Sequence, residues 1–592
     1  MRLLLVLLLA ILPHLGALAN GFAHDDILLV RENPLVRDGT DLAAIATADY
    51  WEGRVRSGLW RPLVVLSLSV EARLFGLDPR PFHATNVLLH AAAAAALLLL
   101  LDRLKAPPRL ALAAAALFAV HPVHTEAVVN VAGRAELLSA IFVLLALRSH
   151  LSEAGSRAAT GATAALFALA LLCKEHAAVF PGLALVADLS SGRRPPLARH
   201  GASAAVLVLY LAARSAVLDG FAPGVVYFVN NPLASASASE TFLAVPALLL
   251  RAALLLALPV RLSADYSYGS IDLPRDAADA EVVAGAAVAA AAVAAIAAAL
   301  VQRRRVAAVA LATALLPYAV VSHALVPLGT IFGERLLYLP SAGGAVLLAI
   351  ALARAASRLA GRAVLCLFVL LFAVRSAERT PDWRDNETLW AATVARFPRN
   401  AKALAFLAEE KLRAHADRGA PGAADAALDA ARRSTEVFPG YATGFYVLGK
   451  ALASRGDEPG AIEALERSLA IEDAIGPRIL LGEIRFRRGE FGEAESVYAG
   501  LVRQKPSLSI AHSNLAAARA ALGREREALA GLETALALDP RNRDAVLNLF
   551  RLRLHAEDPG VRDEARARAL APDVLRFDPG NAEARALVED SH

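Results

Sequence analysis

Cysteine is almost absent: Cys173 and Cys366 are the only two in 592 residues, and both lie inside apolar stretches. That excludes a disulfide scaffold and a cysteine-ligated metal centre. Charge is also scarce, at 20% of residues against 57% hydrophobic. With a mean hydropathy of +0.47, this balance excludes an ordinary soluble domain and points to an integral membrane protein. The formal net charge is +4, but the basic residues stand between hydrophobic runs, where they orient a membrane chain, and no nucleic-acid patch forms. There is no G-x-x-x-x-G-K-[ST], no G-x-S-x-G and no dinucleotide fingerprint in a strand–helix context. ATP-driven transport and serine hydrolysis therefore lack support.

What is present divides the chain in two. Apolar runs recur from Leu3 to about Val374, and composition then changes abruptly across Arg375 to Trp390. The expected organisation is a polytopic membrane domain over 1–376, a linker over 377–387, and a soluble segment over 388–592 that holds no run of the ~20 apolar residues a bilayer crossing needs. In that last segment Pro439, Asp473, Pro506 and Pro540 are spaced by 34, 33 and 34 residues, which is the tetratricopeptide period. Small and large positions recur in step: Leu448-Gly449 with Ala461 and Leu465, Leu481-Gly482 with Ala494 and Tyr498, Leu515-Ala516 with Ala528 and Leu532. Phe397-Pro398-Arg399-Asn400 opens a looser unit before them, and Phe577-Asp578-Pro579 closes another after. One helix pair cannot bury its own apolar face, so about five or six pairs stack into a solenoid. The fold class is all-α, a membrane helix bundle followed by an α-solenoid.

Apolar segments at 3–18, 83–101, 109–121, 136–148, 160–173, 176–188, 202–218, 281–301, 306–326, 336–353 and 362–376 predict about eleven crossings. The first could instead be a cleaved signal peptide; an uncleaved anchor is the preferred reading. Basic residues recur in alternate connections: Arg103, Lys105 and Arg109; Arg148 and Arg157; Arg193, Arg194 and Arg199; Arg303 to Arg305; Arg354, Arg358 and Arg362. All five are expected on the cytoplasmic side. The apolar segment 241–262 must then stay on the outer side, and the repeats fall outside. The same parity places nearly every other ionisable cluster on the outer side: Asp25 and Asp26 in a first outer loop over 20–82, Arg61, His83, the run from His121 through His124 and Glu126 to Arg134 and Glu136, Lys174 and Glu175, Asp265 to Tyr268, and Glu334 with Arg335. Ionisable groups at membrane depth are costly and default to function. Their gathering on one face predicts a polar site opening outward.

A carboxylate of Asp25-Asp26 beside a low-dielectric wall can serve as a general base. The pair of imidazoles in His121-Pro122-Val123-His124 admits a metal, although Pro122 prevents the helical His-x-x-x-His arrangement and no H-E-x-x-H exists. Cationic donors gripping a phosphate fit better, with Arg134 the first candidate. Glu334 beside Arg335 reads either as an intramembrane ion pair or as part of the site.

The order of His24-Asp25-Asp26, Trp60-Arg61-Pro62-Leu63, Phe82-His83-Ala84-Thr85-Asn86, Phe118-Ala119-Val120-His121-Pro122-Val123-His124-Thr125-Glu126, Gly133-Arg134-Ala135-Glu136, Cys173-Lys174-Glu175, Asn231-Pro232, Ser263 to Ile271 and Gly333-Glu334-Arg335-Leu336-Leu337-Tyr338 resembles the TMTC family, the transmembrane and tetratricopeptide-repeat-containing protein O-mannosyltransferases. The resemblance covers nearly the whole chain. It implies a GT-C type glycosyltransferase that takes mannose from a polyprenyl- or dolichyl-phosphate carrier and transfers it, with inversion, to Ser or Thr hydroxyls outside the cytoplasm. It maps the acidic pair of the first outer loop onto Asp25 and Asp26. Arg61, His83, His121, His124, Glu126, Arg134, Glu136, Lys174, Glu175, Asp265, Tyr268, Glu334 and Arg335 are the candidates for binding the donor phosphate and substrate. The implied partners are the lipid-linked sugar, membrane lipids and an acceptor protein held by the solenoid. No cofactor or metal is expected, since the sugar phosphate is itself a substrate. The Ala-, Leu- and Arg-rich composition suggests a bacterial inner-membrane protein with its repeats on the periplasmic side. Two alternatives stay open: a cell-envelope glycan as acceptor, and a non-catalytic membrane scaffold carrying repeats.

Overall fold

The computed structural model describes the chain outside residues 40, 53–56, 154–155, 193, 221–225, 325–327, 356–357 and 590–592. Arg193 of the basic connections lies outside the described residues, as does the side chain of Arg358. The chain divides into two compact units, Met1–Leu407 and Ala408–His592. The first extends beyond the expected linker, because the helix Asn386–Arg396 packs with the turn Thr380–Trp383 that follows the last membrane helix. Among the described residues every regular element is helical.

In the first unit seven described helices are long and apolar enough to cross a bilayer: Arg2–Ala19, Pro79–Arg103, Leu197–Val217, Ala238–Ala257, Ala280–Val301, Glu334–Arg354 and Leu359–Trp383. A bent pair, Pro108–Ala119 with Pro122–Val129 at 45°, is either a broken eighth span or a re-entrant loop. The bend follows from His121-Pro122, since proline lacks the N–H and keeps its predecessor out of the helical region. The other expected spans are shorter helices: Arg134–His150, Arg157–Cys173, Phe180–Ser190 and Arg305–Val320. At 1.5 Å per residue a 17-residue helix such as Arg157–Cys173 covers only about 25 Å. Polar breaks shorten them: Lys174 is extended, and a 3₁₀ turn follows at Glu175–Val179.

Ala238–Ala257 differs from expectation, being as long and apolar as a span. Its flanks nevertheless return to one place, because the Tyr268 N–H donates to the Val229 carbonyl at 2.8 Å, and Asn231 donates to the Leu328 carbonyl at 2.7 Å. Ser237 and Glu240 cap its start reciprocally.

The basic connections gather at one end of the bundle. Arg199 donates to the Ser152 carbonyl at 3.0 Å, Arg305 to the Ser191 carbonyl at 3.1 Å, and Arg303 lies against Gly192. Lys105 and Arg109, residues 303–307, and Arg354, Gly361 and Arg362 border one cavity. The segment 20–82 folds into short helices, Pro34–Arg37, Leu42–Thr47 and Pro62–Phe75. They bury Leu29, Val30, Val36, Ile45, Val64 and Leu68 around Phe82.

The second unit runs in antiparallel pairs such as Ala442–Ser454 with Glu458–Ile471 and Ile475–Arg487 with Phe491–Gln504. The repeat positions explain the pairing. A methyl at Gly449 would come within 2.8 Å of the Leu465 side chain, and one at Gly482 within 2.4 Å of the Tyr498 ring. Ala461, Ala494 and Ala528 are fully buried where the helices touch. Small residues on the first helix admit the large residue of the second, as the sequence period requires.

Candidate active site

His24 has φ +52°, a conformation uncommon for a non-glycine residue, and the chain turns there to separate the side chains of the acidic pair. Asp26 is 1% exposed, and its Oδ1 accepts the Ala132 N–H at 2.8 Å. Burial pushes its carboxyl up to about 7, with backbone donors of Ala132 and Val131 opposing and Asp25 adding to the rise. Asp25 retains access, its side chain 16% exposed. Burial raises its pKa too, but the His24 hydrogen bond and the charges of Arg335 and Lys402 outweigh that and hold it far below the usual carboxylate range.

Arg335 organises the centre. Its Nη1 reaches Asp25 Oδ2 at 3.2 Å and Glu126 Oε1 at 3.0 Å, and its own backbone N–H donates to Glu126 Oε2 at 2.9 Å. The rest of its guanidinium fork faces an opening, with the side chain 29% exposed. Arg61 pairs with Glu175 at 3.0 Å and lies over the Tyr50 ring at 4.9 Å. Lys174 pairs with Glu136. These groups lie within electrostatic range of one another: Tyr50 feels Arg61, Asp25 and Arg335. The elements that meet are the segment 20–82, the turns after Pro108–Ala119 and Arg157–Cys173, and the turn Glu334–Leu337.

A second carboxylate site borders it. Asp265 accepts from Lys402 Nζ and Asn400 Nδ2, both at 2.9 Å, and from the Ser267 N–H at 2.8 Å. Burial raises the Asp265 pKa, and Lys402, Asn400 and Ser267 together bring it well below the ordinary value. The His24 backbone N–H donates to Asn386 Oδ1 at 2.7 Å, and the His24 ring sits 5.0 Å from Trp390. Trp390 in turn stacks on Phe406 at 4.9 Å.

Other expected site residues are placed elsewhere. Arg134 is 1% exposed, salt-bridged to Glu71 at 2.6 Å and bonded to Asn86 Oδ1 at 2.9 Å and the Phe82 carbonyl at 3.1 Å. Its charge is paired with Glu71 in the interior, where the sequence suggested a phosphate grip. Glu334 does not pair with its neighbour Arg335: it takes Tyr266 OH at 2.8 Å, the Ser263 N–H and, at 3.4 Å, Arg379. His83 binds the Gly21 carbonyl at 3.1 Å, and His121 the Leu256 carbonyl at 3.1 Å. His124 meets Ser341 Oγ at 2.6 Å, with the rings of Phe118 and Tyr338 at 4.5 and 4.7 Å. Tyr268 stacks obliquely near Phe228 at 5.7 Å. Tyr50, Glu71, Arg379, Asn400 and Lys402 are members of these networks that the sequence reading passed over. Asn400 and Lys402 follow directly on the Phe397-Pro398 signal that opens the repeats, which was the clue available. Among the described residues one group has the mutual spacing of cation ligands, His150, Asp188 and His200, and it stands at the far end of Arg134–His150 from this site.

No family model matches the chain. It is similar to the protein O-mannosyl-transferase TMTC4 of Mus musculus, 28% identical over 452 residues, which is 64% of this chain and 60% of that protein. The protein O-mannosyl-transferase TMTC3 of Mus musculus is 28% identical over 65% of this chain and 46% of its own length. The Caenorhabditis elegans protein O-mannosyl-transferase F38B6.6 is 26% identical over 68% and 58%. The chain thus spans about half to three-fifths of the length of these relatives. Among solved structures, MamA from Desulfovibrio magneticus RS-1 covers 30% of this chain and 97% of its own at 17% identity and TM-score 0.26. The TPR protein TTC0263 of Thermus thermophilus covers 30% and 95% at 24% identity and TM-score 0.25. By its motifs and these sequence matches, the chain is a relative of the TMTC family.

Proposed function

We propose that the protein is a membrane glycosyltransferase that moves mannose, or a related sugar, from a polyprenyl-phosphate carrier to Ser or Thr hydroxyls of an acceptor protein, with inversion. The observation that carries this reading is the partly exposed Asp25 carboxylate, held against a guanidinium whose remaining donors are open. The names of the curated relatives support the reaction class.

In this reading Asp25, rather than Asp26, accepts the proton of the acceptor hydroxyl. Asp26 is sealed off and engaged with the Ala132 N–H, so it sets the loop. The freed acceptor oxygen attacks the sugar C1, the C1–O bond to the lipid phosphate breaks, and the electron pair leaves with the phosphate. Among the described residues Arg335 uses only Nη1 of its guanidinium, and Nε and Nη2 would bind two phosphate oxygens at once, the geometry guanidinium suits best. Arg61 and Lys174 add positive potential nearby. Direct displacement of this type draws its rate from positioning, a general base and charge stabilisation of the leaving group. These side-chain cations supply the charge stabilisation. The gathering of basic connections at the opposite end supports an orientation with the site and the repeats outside the cytoplasm, in a bacterial inner membrane. The solenoid would present acceptor chains.

The test is transfer of labelled mannose from synthetic polyprenyl-phosphate-mannose to a Ser/Thr-rich peptide by the purified full chain. Transfer that is lost in Asp25→Asn establishes the class and the base. Full activity in a folded Asp25→Asn protein removes the assignment. Absence of transfer with mannose, glucose and arabinose donors removes the reaction class.

A further inference from the structure

A cavity of about 880 Å³ opens at the end of the bundle where the basic connections meet. Three turns supply its polar rim. Lys105 and Arg109 come from the turn before Pro108–Ala119, Arg303, Arg304 and Arg305 from the turn before Arg305–Val320, and Arg354 and Arg362 from the two helices that follow. Among the described residues no carboxylate lines it. Among the same residues none of these seven cations has an acidic partner in an ion pair, and Arg305 spends one donor on the Ser191 carbonyl.

Two backbone features add to the charge. The helices Pro108–Ala119 and Arg305–Val320 both begin at this cavity, with Pro107 and Arg304 at their N-caps and no side-chain cap on either. Pro107 and Pro108 have no N–H and those of Arg304 and Arg305 donate to the Ala299 and Arg303 carbonyls, which leaves the first-turn backbone of Arg109, Leu110, Val306 and Ala307 lining the cavity at the positive ends of the two helix dipoles, an arrangement that favours an anion. Lys105 and Arg303 each adopt positive φ, 60° and 51°, so both turns are tight and hold the basic side chains at the cavity mouth.

The wall below the rim is apolar: Leu110, Ala113, Ile350 and Leu365 line it. A hydrocarbon-walled cavity under a ring of unpaired cations matches an amphiphile with an anionic head and an acyl tail. It matches neither a soluble sugar phosphate nor a neutral lipid.

We propose that this cavity binds an anionic phospholipid, its phosphate held by the Arg303–Arg305 turn, Arg362 and the two helix N-termini, and its acyl chains lying against Leu110, Ile350 and Leu365. Surplus positive charge is general at one face of membrane proteins. Concavity, uncapped helix starts and an acid-free lining distinguish this place from the remainder of that face. Arg148 provides the contrast, being exposed on a basic connection but outside the cavity. The assignment is independent of the transferase reading.

The experiment is native mass spectrometry of the detergent-purified full chain titrated with phosphatidylglycerol or phosphatidylcholine. It is run for the wild type, for the triple variant Arg303→Gln/Arg304→Gln/Arg362→Gln, and for Arg148→Gln. Each surface cation contributes about fivefold to anionic-lipid affinity, so the triple variant should bind phosphatidylglycerol about 100-fold more weakly. The wild type and Arg148→Gln should match, and phosphatidylcholine should not be retained. Equal retention of the two lipids, or an equal loss in Arg148→Gln, overturns the proposal. Displacement of phosphatidylglycerol by equimolar polyprenyl phosphate, or by inorganic phosphate, overturns it in favour of a carrier-lipid or a bare anion site. If the triple variant does not fold, wild-type crosslinking with a photoactivatable phosphatidylglycerol decides. Adducts on 104–113 or 303–307 support the site, and adducts confined elsewhere sink it.

Discussion

Asp25 and Asp26 are adjacent in sequence but differ in environment, and substituting each by asparagine separates their roles. Asp26→Asn keeps an Oδ1 that can accept the Ala132 N–H and removes a charge that burial disfavours. A shift of the Asp26 carboxyl from 3.8 to about 7 corresponds to about 4 kcal/mol. Because the folded pKa is raised, the wild type has this contribution in full below about pH 4. It loses it progressively as pH rises through about 7. The asparagine variant has no such loss, so its Tm should equal that of the wild type at pH 4 and exceed it increasingly up to pH 8. Its transferase activity should stay within about fivefold of wild type, a difference of about 1 kcal/mol. Asp25→Asn should instead lower kcat by about 10²- to 10⁴-fold, the ordinary contribution of a general base. Wild-type kcat/KM should be flat between about pH 5 and 8, since the Asp25 carboxylate is ionised throughout that range, whereas Asp26 as the base would give a rise through pH 7. Thermal unfolding in detergent against pH, beside mannosyl transfer for both variants, provides all three readings. The reasoning is refuted if the two variants lose activity equally, or if the Asp26→Asn unfolding profile runs parallel to the wild type.

Arg335→Gln should abolish transfer and lower the Tm, since Asp25 and Glu126 lose a shared cation at a cost of about 3–5 kcal/mol when such a pair is broken under burial. The double variant Glu126→Gln/Arg335→Gln should recover part of the Tm but none of the activity, and recovery of both would show that Arg335 is only structural. Gly285→Ala places a methyl 1.9 Å from the Pro246 carbonyl oxygen, so Ala238–Ala257 and Ala280–Val301 must separate. The expected loss is about 1–3 kcal/mol, seen as a lower Tm, with Gly161→Ala, which meets nothing within 4 Å, as the unchanged control. Leu532→Ala empties a position only 1% exposed and should cost the repeat unit about 2–5 kcal/mol. Limited proteolysis of the full chain should then cut within 509–555 at lower denaturant than in the wild type.

The features legible in the sequence are those set by local period or local chemistry. The 34-residue step fixed the helix pairs because Gly449, Gly482 and Ala516 recur where a neighbouring helix passes closely. Pro122 announced a break, and the alternation of basic connections anticipated a common end, which Arg199, Arg303 and Arg305 now mark. Long-range pairing could not be read. Arg134 and Glu71 are far apart in the chain, and Glu71 lies in Pro62–Phe75, a helix within what reads as loop. Nothing local shows that the two meet. Glu334 and Arg335 looked like a pair because they are neighbours, yet they stand in the 3₁₀ turn Glu334–Leu337, where successive side chains diverge by about 120°. Glu334 therefore turns toward Tyr266 and Arg379, and Arg335 toward Asp25. The helix Ala238–Ala257 shows the limit of the charge alternation: that alternation keeps the segment on the outer side, yet its length and composition equal those of a span.

The shared guanidinium gives the proposed reaction an order. His24 first, and then Arg335 and Lys402, hold Asp25 ionised but weakly basic, so an acceptor hydroxyl alone gains little from it. A donor phosphate at the open side of Arg335 would place a new anion beside that cation and offset its field at Asp25. The carboxylate pKa would then rise toward its ordinary value, and proton acceptance would become easier once the leaving group is in place. Lys402 and Trp390 belong to the segment that opens the repeats, and they reach the same carboxylate through its field and through the ring contact with His24. The base is thus tuned from two directions, by the donor through Arg335 and by the start of the repeat segment through Lys402. On this reading Lys402→Gln should raise the pKa that governs kcat/KM while leaving the donor KM unchanged, whereas Arg335→Gln, which removes the contact to the donor itself, leaves no transfer to titrate. A Lys402→Gln protein with the wild-type pH profile would show that Lys402 serves Asp265 alone.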